Sequence, residues 1–316
     1  MSTEIVRSFR SMASDITIRI ADPTDSAEEQ METAVELILA VASQCTRFDP
    51  DSALMRANAQ SSSWVSVPTV CLDAIKAAFL AYQRSSGRFD PRIHQRLVDL
   101  GYDTSREFAK PGSAGASAVA ARPAINGAWL PEFRESAVRI GPHSIDLGGI
   151  GKGLAVRWAA AALRGAGGGV LIDAGGDLSL RGLAAPDQPW RIGVENPWDA
   201  SGEPAAVIEA VDAGVATSSI RLRRWEVQGR TVHHLVDPAT GEPGGAGLQS
   251  VTVIDDDPAW AEVWSKTLFL EGESRIIRAA EARYIKALWI TAEGSIGMTP
   301  GMLGHVIWRD SEPLVR

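Results

Sequence analysis

The stretch 144–180 constrains the fold more than any other part of the chain, because glycine-rich bends divide it into short elements. Its residues 151–163 have the alanine, leucine and valine content and the helical spacing of a core-facing helix. Glycine tolerates the left-handed conformation of a helix C-terminus, so Gly165 and the glycines at 167–169 predict the end of that helix. The apolar run 170–172 is too short for a helix and fits a strand buried on both faces. A turn at 173–177 follows, in which Asp173 and Asp177 flank the sequence Ala-Gly-Gly.

A glycine-rich bend at 148–153 precedes the predicted helix and contains Lys152. Several backbone N–H groups and the helix dipole point the same way at such a start, which favours a bound anion. Lys152 adds a mobile cation, so the bend indicates a phosphate or diphosphate ligand. The structural alternative, that these glycines only turn the chain between packed elements, stays open.

Two general phosphate-binding motifs do not account for the bend. A P-loop is excluded, because Asp146 and Gly153 stand where that motif needs a glycine and a hydroxyl residue. Gly149 and Gly151 fit part of the dinucleotide-binding pattern, but Leu154 stands at its third glycine, so this match is weak.

The composition excludes several classes of protein. The chain has 316 residues and a formal net charge of -8, which argues against a general affinity for nucleic acid or anionic membranes. Its two cysteines, Cys45 and Cys71, neither suggest a disulfide scaffold nor offer a metal-binding spacing. The N-terminal sequence lacks the apolar core of a signal peptide, and no stretch approaches the length of a membrane span. We therefore expect a cytoplasmic protein with neither nucleic-acid nor membrane partners.

Helical and strand-like segments intermix along the chain. Apolar spacing predicts helices at 27–45, 69–83, 260–270 and 274–282, and strands at 16–20, 191–195, 206–211, 249–254 and 287–290. These segments lack the regular alternation of a parallel βαβ repeat, which favours the α+β class. The segment 107–130 is rich in small residues and proline and predicts a flexible insertion. Because its flanking elements look too incomplete to fold alone, we expect one domain, 1–316, of intertwined mixed sheets with packed helices.

Distinctive motifs follow one another through most of the chain. The most specific are Ile-Asp-Leu-Gly-Gly-Ile-Gly-Lys-Gly at 145–153 and Leu-Ile-Asp-Ala-Gly-Gly-Asp at 171–177. The others are Arg-Phe-Asp-Pro-Asp-Ser at 47–52 with Asn58, Ser-Gly-Arg-Phe-Asp-Pro at 86–91, Ala-Thr-Ser at 216–218 and His-Leu-Val-Asp-Pro-Ala-Thr-Gly at 234–241. In this order, the motifs resemble those of the ApbE family of FAD:protein FMN transferases. The resemblance runs from Met12 to about Gly272, and the shared order of the motifs argues against chance.

The resemblance implies a function as well as a fold. Members of the family bind FAD, cleave its diphosphate with help from Mg2+, and transfer the FMN half to a Thr or Ser hydroxyl of a target protein, releasing AMP. FAD is therefore the expected donor substrate, Mg2+ the expected cofactor, and a protein with a Ser/Thr flavinylation site the expected partner. By resemblance, the residues that line or adjoin the flavin and adenine pocket are Met12, Ser52, Asp90, Lys152, Asp173 and Thr217. The bend with Gly149 and Gly151 is the predicted diphosphate site.

His234 matches the family histidine that is required for transfer. It is the candidate catalytic base, since a neutral imidazole can accept the hydroxyl proton near pH 7. The structural alternative is a packed histidine that completes the end of a strand.

One segment departs from the family pattern. The family's metal site uses an Asp and, four residues later, a Thr, but Glu262 and Lys266 stand at these positions here. Glu262 remains a candidate metal ligand, whereas a lysine supplies no oxygen and carries a positive charge. Two like unit charges about 4 Å apart repel by roughly 4 kcal/mol at an effective dielectric constant of 20, so Mg2+ binding should be weakened. The structural alternative is an i,i+4 ion pair on a helix face, worth a few tenths of a kcal/mol.

Three hypotheses of different class therefore stand. The first is an FAD:protein FMN transferase. The second is an FAD-binding protein that holds the dinucleotide intact, because Lys266 occupies the place of the metal. The third, a Rossmann-type oxidoreductase, depends only on the weak glycine pattern and predicts binding of a nicotinamide cofactor.

Overall fold

The computed structural model describes residues 4–103, 125, 127–199, 202–310 and 314. The strands are Glu4–Ser11 (β1), Ser14–Pro23 (β2), Val65–Ser66 (β3), Glu132–Phe133 (β4), Ala137–Arg139 (β5), Gly167–Ala174 (β6), Asp177–Gly182 (β7), Trp190–Glu195 (β8), Pro204–Ala210 (β9), Ala213–Ser219 (β10), Arg224–Val227 (β11), Arg230–His233 (β12), Val236–Asp237 (β13), Glu242–Pro243 (β14), Leu248–Asp255 (β15), Lys286–Thr291 (β16), Ile296–Met298 (β17) and Val306–Arg309 (β18). The α-helices are Ala27–Gln44 (α1), Ala53–Ala59 (α2), Thr69–Arg84 (α3), His94–Asp99 (α4), Gly151–Ala162 (α5), Pro258–Glu271 (α6), Glu273–Glu281 (α7) and Pro300–Leu303 (α8), with a 3-10 turn at Pro91–Ile93. This mixture of helices and antiparallel strand pairs confirms the α+β class.

The chain groups into two compact units, each built from separate stretches. The first unit comprises Met1–Leu39, Lys152–Ser218 and Gly245–Arg316, and the second comprises Ala40–Gly151 and Ser219–Gly244. The single domain expected over 1–316 stays a prediction. So does the flexible insertion at 107–130, because all of that segment except 125 and 127–130 lies outside the described residues.

An eight-stranded sheet organises the first unit, in the order β1-β2-β6-β7-β10-β15-β16-β17. A three-stranded sheet, β18-β9-β8, shares an apolar core with it that includes Leu180, Trp190, Ile208 and Leu288. The run 170–172 lies in β6 and is buried, as expected for a strand covered on both faces.

The helix α6 carries two of the candidate residues and begins and ends where its sequence directs. Asp257 caps its start by accepting the N–H of Ala259 at 2.9 Å, and Pro258 occupies the first turn, where no N–H is needed. Gly272, with φ of 72°, ends it. The helix packs against β15 and β7 of the sheet.

The second unit combines short helices with small antiparallel sheets. The strands β3, β5 and β4 form one sheet, and β11-β12 and β13-β14 are two-stranded. Leu97, Leu100 and Tyr102 pack with Val227 and Val232 in a local core. Among the helices of the described residues, none combines the length and the apolar character that crossing a bilayer requires.

Candidate functional site

Two tight hairpin turns lie side by side where the strand β2 of the eight-stranded sheet begins and its neighbour β6 ends. Met12 and Ala13 join β1 to β2, and Gly175 and Gly176 join β6 to β7, with φ values of 50°, 57°, 67° and 90°. Positive φ at both residues is the geometry that matches the twist of a two-residue hairpin. Because β2 pairs antiparallel with β6, both turns leave the sheet at the same edge, and a Cβ on Gly175 would lie 2.6 Å from Ser14 Oγ. We call Met12, Ala13, Gly175 and Gly176 the hairpin edge.

Two further predicted site residues hold the hairpin edge in place. The Oδ1 atom of Asp173 accepts the N–H of Gly176 at 2.9 Å, and the N–H of Thr217 donates to the Gly176 carbonyl at 3.2 Å. The Thr217 hydroxyl lies 2.9 Å from the Thr252 hydroxyl. Met12, Asp173 and Thr217, which are far apart in the sequence, are thereby brought together in the first unit.

Two lysines and two carboxylates form ion pairs next to this edge. Asp177 follows the Gly176 turn directly and binds the ammonium of Lys152, while Lys266 Nζ lies 2.9 Å from Glu262 Oε1. The side chains of Lys152 and Lys266 are 15% and 18% exposed, whereas those of Asp177 and Glu262 are 2% and 0% exposed. Each ion pair therefore joins a partly exposed lysine to a buried carboxylate. We call Lys152, Asp177, Glu262 and Lys266 the lysine–carboxylate cluster.

The charge state of Glu262 follows from its surroundings. Burial by itself would raise the pKa of this carboxyl, but the charges of Lys266 and Lys152 and the N–H of Gly153 lower it below its ordinary value of 4.5. The carboxylate is therefore ionised at neutral pH. The i,i+4 ion pair considered as the structural alternative does form, but it is buried, so the small energy of an exposed helix pair does not apply to it.

The donor set around Glu262 does not fit a divalent cation. One carboxylate oxygen binds the Lys266 ammonium, and the other accepts the N–H of Gly153 at 2.8 Å. A metal ion at this carboxylate would replace the ammonium or stand beside its charge. Within the residues that the structure describes, no three His, Cys, Asp or Glu side chains are grouped to hold a metal ion.

The N–H groups of the glycine-rich bend are largely engaged within the protein. The N–H of Gly148 donates to Asp146 Oδ2 at 3.1 Å, and the N–H of Gly151 donates to the Leu147 carbonyl at 2.8 Å. Together with Gly153, these groups are not open donors in this conformation. The Lys152 ammonium is then the stronger candidate contact for an anion, and a role for Gly149 stays a prediction.

Gly151 and Gly153 differ in what their Cβ atoms would meet. A Cβ on Gly153 would lie 2.6 Å from the Ala259 Cα, whereas a Cβ on Gly151 would meet nothing within 4 Å. We expect Gly153→Ala to destabilise the protein by about 1–3 kcal/mol, because the helices α5 and α6 must separate. Gly151→Ala is the matched control and should leave stability unchanged or raise it slightly. Urea unfolding of both variants measures this, and equal stability would contradict the close helix packing.

Two of the predicted residues in the second unit already have structural partners. Ser52 caps α2 by accepting the Met55 N–H at 3.1 Å, and its hydroxyl donates to the Thr46 carbonyl at 2.6 Å. Asp90 forms a buried bidentate ion pair with Arg92 and accepts that residue's N–H at 2.9 Å. These bonds fix the two side chains in place, and their assignment to a nucleotide pocket stays a prediction.

Two adjacent histidines of the second unit differ in environment. Burial lowers the pKa of His233 to about 4, against a hydrogen bond with Gly244 that raises it, so this ring is neutral at pH 7. His234 is half-buried, and its Nδ1 lies 3.4 Å from the carbonyl of Arg223. A carbonyl only accepts, so this contact favours the tautomer that carries its proton on Nδ1.

The structure also gives partners to motif residues that had no assigned role. The amide of Asn58 binds both the carbonyl and the N–H of Ile145, at 2.9 and 2.8 Å, and Arg47 forms a buried ion pair with Asp146 at 3.3 Å. They brace the segment that leads into the glycine-rich bend. Asp177 was visible in the sequence only as a carboxylate beside the Gly-Gly pair, because its partner Lys152 is 25 residues away.

Comparisons with known proteins identify the family of the chain. The FAD:protein FMN transferase of Vibrio cholerae is 29% identical over 277 residues, which cover 86% of this chain and 82% of that protein. The structure of the ApbE protein of Thermotoga maritima superposes with a TM-score of 0.83 at 23% identity, covering 95% of this chain and 98% of that one. The apo form of the Pseudomonas stutzeri flavinyl transferase ApbE gives a TM-score of 0.78 at 25% identity over 95% and 96%. The sequence profile of the ApbE family matches residues 12–289, and the chain belongs to that family.

Proposed function

We propose that the chain is an FAD:protein FMN transferase. The observation that carries this proposal is the hairpin edge, which brings Met12, Asp173 and Thr217 together next to two lysine ammoniums in a member of the ApbE family. Backbone and aliphatic surface beside positive charge suits a nucleotide that has a flat ring system and a diphosphate.

The proposed reaction exchanges one phosphorus–oxygen bond for another. The oxygen of an acceptor Ser or Thr hydroxyl bonds to the FMN phosphorus of FAD, and the bond from that phosphorus to the bridging oxygen breaks. The bridging oxygen leaves with AMP and keeps the electron pair, while the hydroxyl proton passes to the base. Catalysis of such a transfer needs positioning, neutralisation of the phosphate charge and a proton acceptor.

Each role is assigned to residues of this chain. His234 is the proposed base, supported by the family motif and by the tautomer that its Nδ1 contact favours. Lys152 is proposed to neutralise diphosphate charge, and Met12, Asp173 and Thr217 to shape the nucleotide pocket. The pocket roles of Ser52, Asp90, Gly149 and Gly151 are carried over from the family resemblance.

One observation favours a second candidate, an FAD-binding protein that does not turn over. The residues at the position of the family's metal site form the Glu262–Lys266 ion pair instead. If the diphosphate is cleaved only with a divalent cation, the protein would hold FAD intact.

Incubation of the purified chain with FAD and candidate cytoplasmic acceptor proteins separates the two. A transferase yields equal amounts of AMP and of an acceptor protein that carries covalently bound, fluorescent FMN. The FMN is attached to a Ser or Thr of the acceptor. FAD that binds but stays intact with every acceptor, with Mg2+ present and absent, supports the second candidate. A chain that binds NAD or NADP but not FAD would contradict both.

A further inference from the structure

We propose that the ammonium of Lys266 stands in for the divalent cation, so that this chain binds the FAD diphosphate by lysine charges without taking up a metal ion at Glu262. The inference rests on the proposed function, since it concerns how the same nucleotide is held. It concerns the four residues of the lysine–carboxylate cluster, all of which lie in the first unit.

The first step is that both carboxylate oxygens of Glu262 already have protein partners. Its side chain is fully buried, one oxygen is 2.9 Å from Lys266 Nζ, and the other is 2.8 Å from the N of Gly153. A metal ion needs a carboxylate lone pair that faces the site, and both oxygens face protein donors here. A metal ion at this carboxylate would have to displace one of these two donors or share an oxygen with it.

The second step is that the positive charge of the Lys266 ammonium, unlike a bound metal ion, cannot dissociate from the protein. Lys266 lies four residues after Glu262 on α6, one turn along the same helix face, so the chain itself tethers the ammonium to its carboxylate. A chelator removes a bound metal ion but has no effect on such a pair. The Ser265 hydroxyl also bonds the Ser218 hydroxyl at 2.8 Å, which fixes this turn of the helix against β10.

The third step concerns the sign of the charge that faces outward. Lys152 and Lys266 each expose part of the side chain, whereas the side chains of their partners Asp177 and Glu262 are almost fully buried. An approaching diphosphate therefore meets positive charge first. The cluster as a whole is balanced, with two ammoniums and two carboxylates, so a divalent cation bound at Glu262 would add two uncompensated positive charges.

The first experiment compares the unmodified chain with Glu262→Gln and uses two readouts that do not depend on turnover. Mn2+ binding to the apo protein is followed by electron paramagnetic resonance, and FAD binding is followed by quenching of flavin fluorescence, in EDTA and in Mg2+. We expect FAD affinity to differ less than twofold between EDTA and Mg2+, and Mn2+ binding to be the same in the unmodified chain and Glu262→Gln. Bound Mn2+ that Glu262→Gln removes, or FAD affinity at least tenfold lower in EDTA, overturns the proposal.

Matched substitutions then test the ammonium itself. Lys266→Thr removes the charge and adds a hydroxyl oxygen, so it should lower FAD affinity at least tenfold in EDTA, with recovery in Mg2+. Lys266→Arg keeps the charge and should bind FAD in EDTA within a few-fold of the unmodified chain. FAD binding by folded Lys266→Thr that is as tight in EDTA as before would show that the ammonium is not the replacement. If circular dichroism shows that Lys266→Thr is unfolded, the measurements on the unmodified chain decide.

Failure of this inference and failure of the proposed function have different signatures. If the chain binds no FAD under any condition, the proposed function is wrong. If it binds FAD only when Mg2+ is present, the proposed function stands and this inference is wrong.

Discussion

Lys266→Met is expected to lower the free energy of unfolding by about 3 kcal/mol or more, because it leaves the buried Glu262 carboxylate without its nearest positive charge. The midpoint of thermal unfolding should fall by roughly 5–10 °C for a chain of this size. Glu262→Gln should cost less, since the Lys266 side chain is partly exposed and can turn to solvent. Calorimetry of the two single variants measures this asymmetry.

The unpaired charge should also change how stability depends on pH, in opposite directions in the unmodified chain and in Lys266→Met. The pKa of Glu262 is below 4.5 in the folded protein, so its contribution is present above that pH and is lost as the pH falls through the lower folded value. In Lys266→Met the effect of burial is no longer offset by Lys266, and we expect the folded pKa to lie above the unfolded one. That variant should then lose stability as the pH rises from 4.5 towards 7.

The double variant Glu262→Gln/Lys266→Met is the control. It removes both charges, so most of the lost stability should return and the pH dependence due to this pair should vanish. A double variant as unstable as Lys266→Met would show that packing, and not the unpaired charge, causes the loss.

His234→Asn is expected to reduce FMN transfer by about 100- to 10,000-fold while FAD still binds, because the substitution removes the proposed base but retains a polar side chain of similar size. AMP release and covalent labelling of the acceptor should fall together. Equilibrium FAD binding, measured separately by fluorescence, should change little.

His143→Asn is the matched control for this change, since His143 is exposed in the second unit. It should transfer FMN at the rate of the unmodified chain. Transfer by His234→Asn within tenfold of that rate would remove His234 from the role of base. The neighbouring His233 is the weaker base of the two candidates, because burial lowers its pKa to about 4.

The sequence predicted the regular elements of the fold where apolar spacing was strong. The helices expected at 27–45 and 69–83 are Ala27–Gln44 and Thr69–Arg84. β1 was not separated from β2, since most of its residues are exposed and an edge strand of this kind has no alternating apolar pattern. The glycines at 167–169 were expected to end a helix, but they begin β6. There a Cβ on Gly169 would lie 1.9 Å from the Leu183 carbonyl oxygen, so the position requires a residue without one.

The candidate site was predictable only in part, because its decisive contacts join distant stretches. The i,i+4 spacing of Glu262 and Lys266 suggested their ion pair as the structural alternative. The sequence of α6 alone does not indicate that the Glu262 side chain is fully buried. That burial comes from α5, whose Gly153 approaches α6 closely and donates to the carboxylate. The pairing of Lys152 with Asp177 likewise depends on a turn and a strand that the sequence does not place relative to α5.

The strand order of the first unit has a consequence for how the protein is made. β2, near residue 20, pairs with β6, near residue 170, and β15, β16 and β17 are added after residue 245. A nascent chain leaving the ribosome therefore holds the first hairpin for about half of its synthesis before the neighbouring strand emerges. Such nonlocal pairing slows folding and leaves strand edges open in the meantime. We expect refolding from denaturant to be slow and to improve when chaperones shield those edges.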